Sequence, residues 1–158
     1  MVLAAGGRVV GRLRLQKVFY LLDRLRLESR FNYEYHYYGP YSANLAEAIE
    51  DATAFGLVNE RIERRAYDGV PYSVFEQPTA PLGSQLGGLD QRHATHALVR
   101  VQRETATVLE LAATIDWLKR VERVADWRKE LVRRKGGKAA PDRVERATRL
   151  LSDLELDE

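Results

Sequence analysis

The sequence predicts a mainly α-helical α+β domain, with a winged-helix-like N-terminal half packed on a C-terminal helical bundle. Three observations carry this. Leu15, Val18, Phe19, Leu22 and Leu25 recur at the spacing of one helix face. Asp68-Gly69 sits between two β-type runs, a strong hairpin signal. From Ala94 to Leu118, steps of three and four continue through Leu98, Val101, Thr105, Val108, Ala112 and Ile115.

Met1 to Gly11 (MVLAAGGRVVG) reads as a short apolar turn or helix broken at Gly6-Gly7. In the first long helix, burial of each large apolar side chain is worth roughly 1.5–3 kcal/mol, enough in sum to dock it. Arg14, Lys17, Asp23, Arg24 and Glu28 lie mostly off its apolar stripe and can face water. The period then changes to two, with Phe31, Tyr33, Tyr35 and Tyr37 alternating with Asn32, Glu34, His36 and Tyr38. That pattern predicts an extended segment with one aromatic face. Gly39-Pro40 is expected to end it, because proline restricts the residue before it and glycine tolerates what remains.

Ser42 is the expected N-cap of a second helix, striped by Leu45, Ala48, Ile49, Ala52 and Phe55 and stopped by Gly56. Leu57–Glu63 and Val70–Phe75 read as the hairpin strands, with Pro71 demoting the second to an edge. Helix, turn, helix and hairpin follow the order of a winged helix, by analogy of fold only. Gln77 to Leu89, rich in Pro and Gly, reads as a loop. Asp90 is the expected N-cap of the long helical seam. Helix resumes over Val121–Lys135 with a break near Arg123–Asp126, and Gly136-Gly137 ends it. Pro141 opens a last helix with Val144, Ala147, Leu150, Leu151 and Leu154 on its inner face. One domain is expected over residues 1–158, made of a winged-helix-like half (1–76), a loop (77–89) and a helical half (90–158).

Composition limits the function classes. Apolar content of 45% and charged content of 30% fit a globular protein with a real core. No apolar run reaches the ~18 residues of a membrane span, and no signal-peptide pattern opens the chain. Zero cysteines exclude disulfide and thiol chemistry and are compatible with a cytoplasmic location. The formal net charge is only +2, so no overall polyanion-binding signal exists, although the charge is uneven.

Leu15-Gln16-Lys17, Phe19-Tyr20-Leu21-Leu22, Tyr38-Gly39-Pro40-Tyr41-Ser42 and Leu45 together resemble the YwgA-like proteins of bacteria and archaea. The same residues are similar to the Panacea (SocA-like) antitoxin domain and to the toxin-neutralising domain of DarG-type antitoxins. Residues 110–115, ELAATI, also resemble the C-terminal half of YwgA-like proteins. The resemblance implies an antitoxin-like or regulatory protein that neutralises or scaffolds a partner protein by direct contact, such as a toxin or defence effector. The macrodomain joined to DarG-type antitoxin domains is absent, so no hydrolase activity is carried over.

His93 and His96, three apart on a helix, could share a metal, but no Cys or HExxH-type pattern accompanies them. No catalytic constellation, cofactor motif or metal set is expected, and the protein is read as a non-enzyme. Five of the eight tyrosines fall within nine residues, and tyrosine is enriched at interfaces. The simpler reading puts Phe31, Tyr33, Tyr35 and Tyr37 over the core side of the first helix. The expected partner-binding set is Tyr35, Tyr37, Tyr38, Tyr41, Glu47, Glu50 and Asp51. The alternative function is nucleic-acid binding through Arg128, Lys129, Arg133, Arg134 and Lys135. Against it, the would-be recognition helix carries Glu47, Glu50 and Asp51 and no cation. A solvated basic helix with Glu130 as internal partner is the plainer account of that segment.

Overall fold

A computed structural model describes residues 7–77 and 85–157. Its mixed α+β architecture is mainly helical. The helix that organises it is α4, Ala106–Asp116, in which every residue from Val108 to Asp116 is buried. A helix buried on all sides belongs at the centre of a core. Helix α1 (Arg12–Arg24) and helix α6 (Pro141–Asp153) pack against it, as does helix α5 (Trp127–Lys135). Helix α3 (Gln91–Arg103) lies against both α1 and α6. The inner face expected for α6 is the one observed, with Val144, Ala147, Leu150, Leu151 and Leu154 all buried.

The long seam is two helices. Glu104 leaves α3 with extended backbone, and the Thr105 side chain accepts from Val108 N. A threonine counted as a weak seam residue is thus the N-cap of α4; capping decides where apolar periodicity cannot. Asp90 caps α3 as expected, accepting from the backbone of Arg92 and His93.

A three-stranded antiparallel sheet covers one side, in the order β1-β5-β4, with β1 Arg8–Val10, β4 Asn59–Arg64 and β5 Pro71–Glu76. The apolar turn or helix expected at the start is this strand over residues 8–10, while residues 1–6 lie outside the described residues. Strand β5 is central, not an edge. Pro71 pairs with Arg64, whereas β1 reaches only Val74 to Glu76, so the proline sits where one side of the strand is unpaired. The turn at Asp68-Gly69 forms, with Gly69 at φ 69° and its N–H donated to Arg65 O at 2.8 Å. Of the expected loop 77–89, residues 78–84 lie outside the described residues. Its end pairs as β6 (Gln85–Leu86) and β7 (Leu89–Asp90).

The aromatic run folds back on α1. Asp23, off the apolar stripe, accepts from Ser29 N at 2.8 Å, Ser29 Oγ at 2.5 Å and Tyr33 Oη at 2.8 Å. Phe31 meets Phe19 edge-on at 5.8 Å, and Tyr33 meets Tyr20 at 5.2 Å. Only Glu34–His36 forms a strand, β2, paired with β3, Gly39–Tyr41. His36 pairs with Gly39, so the two-residue turn is Tyr37-Tyr38. Gly39-Pro40 does not end the extended run; it is the return strand. Ser42 then caps helix α2 (Ala43–Ala54), accepting from Leu45 N at 3.2 Å.

Candidate functional site

The turn and return strand, Tyr37 to Ser42, are held by side chains of α1 and α5, with Glu110 of α4 pairing the lysine that holds the turn. On α1, Gln16 Nε2 donates to Ser42 O at 2.9 Å, and Gln16 Oε1 accepts from Ser42 N at 2.9 Å. One glutamine amide thereby satisfies both backbone groups of a fully buried residue, as a neighbouring strand would. The next residue, Lys17, donates from Nζ to Pro40 O at 2.5 Å. From the end of α5, Lys135 Nζ donates to Tyr37 O at 2.8 Å and to Glu110 Oε1 of α4 at 2.9 Å. Lys138 Nζ donates to Glu110 Oε2 at 3.0 Å. Gly39 has φ 83°, and a Cβ there would lie 2.8 Å from Thr114 Oγ1. Glycine is required twice over, for its backbone angle and for space. Gln16-Lys17, Tyr38 to Ser42, and Glu110 with Thr114 are therefore parts of one polar clasp.

Lys17, though off the apolar stripe, is 1% exposed. Burial lowers its pKa to about 8; the carboxylate of Glu110 opposes the fall and Lys135 adds to it. One buried carboxylate thus shares its field among Lys17, Lys135 and Lys138. A second polar set adjoins it. Asp116, buried, accepts from Tyr20 Oη at 2.5 Å and has Arg24 and Arg120 at 3.2 and 3.4 Å. Burial, then Asp116, pushes the Tyr20 hydroxyl far up. Neither set was recognised from the sequence as a unit. The usable signal was charged residues inside apolar helix runs, at Lys17, Glu110 and Asp116.

The clasp decides which tyrosines reach the surface. Tyr37 is 77% exposed and Tyr38 is 42% exposed, their rings edge to face at 4.9 Å, with Lys138 Nζ 4.8 Å from the Tyr38 ring. Tyr35 turns inward, covered by the Arg134 guanidinium at 4.4 Å and leaning on Trp117 at 6.2 Å. Tyr41 is half-buried beside His36, ring to ring at 5.0 Å. Of the four tyrosines expected to meet a partner, the turn pair alone presents itself openly.

Helix α2 is loosely covered. Leu45 is its one buried residue. Ala48, Ile49 and Ala52 instead line an open apolar cleft of about 260 Å³, faced by Phe19 and Phe31. Leu57, in its lining, is 61% exposed; Phe55, expected on the inner stripe, follows the helix end at Ala54 and is 79% exposed, outside that lining. Glu47, Glu50 and Asp51 are all exposed. Glu50 lies 3.5 Å from Arg12, which also pairs with Glu60 at 2.7 Å. The carboxylates and the cleft belong to opposite faces of one helix.

The basic segment is largely neutralised from within. Arg133 and Arg134 both bind Glu130, at 2.6 Å in each case, and draw its pKa down to about 2. Arg134 also binds Glu122 at 2.6 Å, and Lys135 is buried against Glu110. Arg128 stacks on Trp127 at 4.4 Å and, with Lys129, stays exposed. His93 lies against Asp90, and His96 accepts from Arg100. Among the described residues no group of three or more metal-ligating side chains converges, and no helix is long and apolar enough to cross a membrane.

No family model matches the chain. Over 115 residues it is 30% identical to the uncharacterized protein YwgA of Bacillus subtilis (strain 168), covering 72% of this chain and 68% of that protein.

Proposed function

This chain belongs to the YwgA-like family, and we propose that it is a non-enzymatic interaction module, antitoxin-like or regulatory, that neutralises or scaffolds a partner protein by direct contact. The observation that carries the reading is the face built on α2. A helix that buries a single residue leaves an apolar cleft beside it, with Leu57 of its lining 61% exposed. An exposed apolar groove accepts the apolar face of an amphipathic segment. The outer face of α2 offers three carboxylates and no cation, so a partner that seats in the cleft and wraps onto that face carries basic residues where it meets them. The Tyr37-Tyr38 turn adds an aromatic anchor whose backbone is fixed by Lys135.

Nucleic-acid binding through α5 is the second reading. The strand order β1-β5-β4, with two helices between β1 and β4, supports a winged-helix-like arrangement. Two observations weigh against it. Arg133, Arg134 and Lys135 already hold carboxylates, and α2, the would-be recognition helix, would be repelled by phosphate.

The test is affinity capture from the native host with the wild-type chain and with the Glu47→Lys, Glu50→Lys, Asp51→Lys triple variant. A specific protein retained by the wild type and by Arg128→Gln, and lost by the triple variant, supports the reading. Failure to capture any protein at any salt, or retention of the same protein by the triple variant, contradicts it.

A further inference from the structure

A second charged surface lies far along the chain from the α2 face. Helices α3 and α6 pack antiparallel at their exposed edge, and a recess of about 220 Å³ opens between them. Its charged lining is Arg100, Arg103, Arg146 and Arg149 against Glu104 and Asp153, an excess of two positive charges. The arginines come as two pairs, each spaced three residues apart on its helix, so each pair shares a face.

The ion pairs across the recess leave it cationic. Arg146 reaches Glu104 at 2.7 Å at one end, and Arg100 reaches Asp153 at 2.9 Å at the other. These two contacts bracket the recess. Among the described residues Arg149 pairs with Glu145 alone, one turn back on its own helix and 71% exposed. Such an exposed pair contributes little and yields readily to a better acceptor. Arg103 makes no hydrogen bond or ion pair among the described residues. Arg100 spends its other donors on His96 Nε2, at 3.1 and 3.3 Å, an acceptor that carries no negative charge.

Like charges gathered in a walled recess repel one another, and the recess focuses their field on whatever enters. The planar guanidinium fork binds phosphate oxygens two at a time, which an ammonium does not, and all four cations here are arginines. We propose that this recess binds a phosphate group, with Arg103 and Arg149 as the primary contacts and Arg100 and Arg146 supplying field and walls. The site stands apart from the α2 face and does not depend on the interaction reading.

Calorimetric titration of the full chain with pyrophosphate at low ionic strength tests it. Wild type and the distant Arg61→Gln variant are expected to bind. The Arg103→Gln, Arg149→Gln double variant is expected to bind at least roughly ten-fold more weakly, the loss of a charge-assisted contact, while its melting temperature is unchanged. No heat of binding in the wild type, or equal affinity in the double variant, overturns the proposal. A labelled single-stranded oligonucleotide forms the second arm. Tighter binding to wild type than to the double variant places the phosphate in a nucleic-acid backbone and supports the site. Pyrophosphate binding without oligonucleotide binding assigns it to a small phosphorylated molecule and supports it equally.

Discussion

Gly39 and Lys17 show how much of this fold rests on single side chains. At Gly39 an alanine would meet both a left-handed backbone angle and the Thr114 hydroxyl. Gly39→Ala is expected to lower unfolding stability in urea by roughly 1–3 kcal/mol from backbone strain alone, and a variant as stable as wild type would remove the close-packing argument. Lys17 makes a prediction in pH. Its folded pKa of about 8 lies below the ordinary lysine value of 10.5, so between these values the unfolded chain holds the proton more tightly. Its contribution to stability therefore rises with pH through that window, by about 3 kcal/mol in total. Tyr20 and Tyr33, with hydroxyls pushed up by burial, act oppositely above pH ~10. They are common to wild type and Lys17→Met, so the difference between the two urea-stability profiles isolates the lysine; parallel profiles would contradict its burial as a cation. The sequence could not announce this residue. Its period placed it off the apolar stripe, and the carbonyl it serves, that of Pro40, comes from a strand more than twenty positions away.

Among the elements, α2 and α4 mark the extremes. Helix α4 is buried along nine consecutive residues, and α2 at Leu45 alone. Amide hydrogen exchange should therefore protect α4 close to the global stability and leave α2 exchanging by local opening well before it. Equal protection of the two helices would mean that the α2 cleft is closed in solution. Element existence was legible where a signal was local. The Asp90 cap, the Ser42 cap, the Asp68-Gly69 turn and the inner face of α6 stand where the sequence put them. Reading failed where two local signals competed. Gly39-Pro40 looked like the turn, yet the positive φ of Gly39 serves a strand packed close on Thr114 and bonded by Lys17, and the turn fell to Tyr37-Tyr38. Thr105 fitted the helical steps on either side of it, and its side-chain hydrogen bond to Val108 N broke them.

For the molecule as a whole, the mixed, mainly helical class was legible, but its centre was not. Leu13 to Ser42 was the most patterned stretch, while the hub is α4, an almost patternless apolar helix whose lack of a polar face was the overlooked sign. The candidate site was half legible. Tyr38 and the α2 carboxylates are exposed, and so is Tyr37, against the simpler reading that laid it over the first helix, whereas Tyr35 and most of the basic segment are occupied by internal partners. A charge run in sequence does not show which carboxylates fold back on it. A hydrogen-exchange footprint of the chain bound to its captured partner decides where contact occurs. The α2 reading predicts new protection on Ala43–Phe55, on Leu57 and around Phe31, with the Trp127–Lys135 helix unchanged; protection confined to Trp127–Lys135 would contradict it.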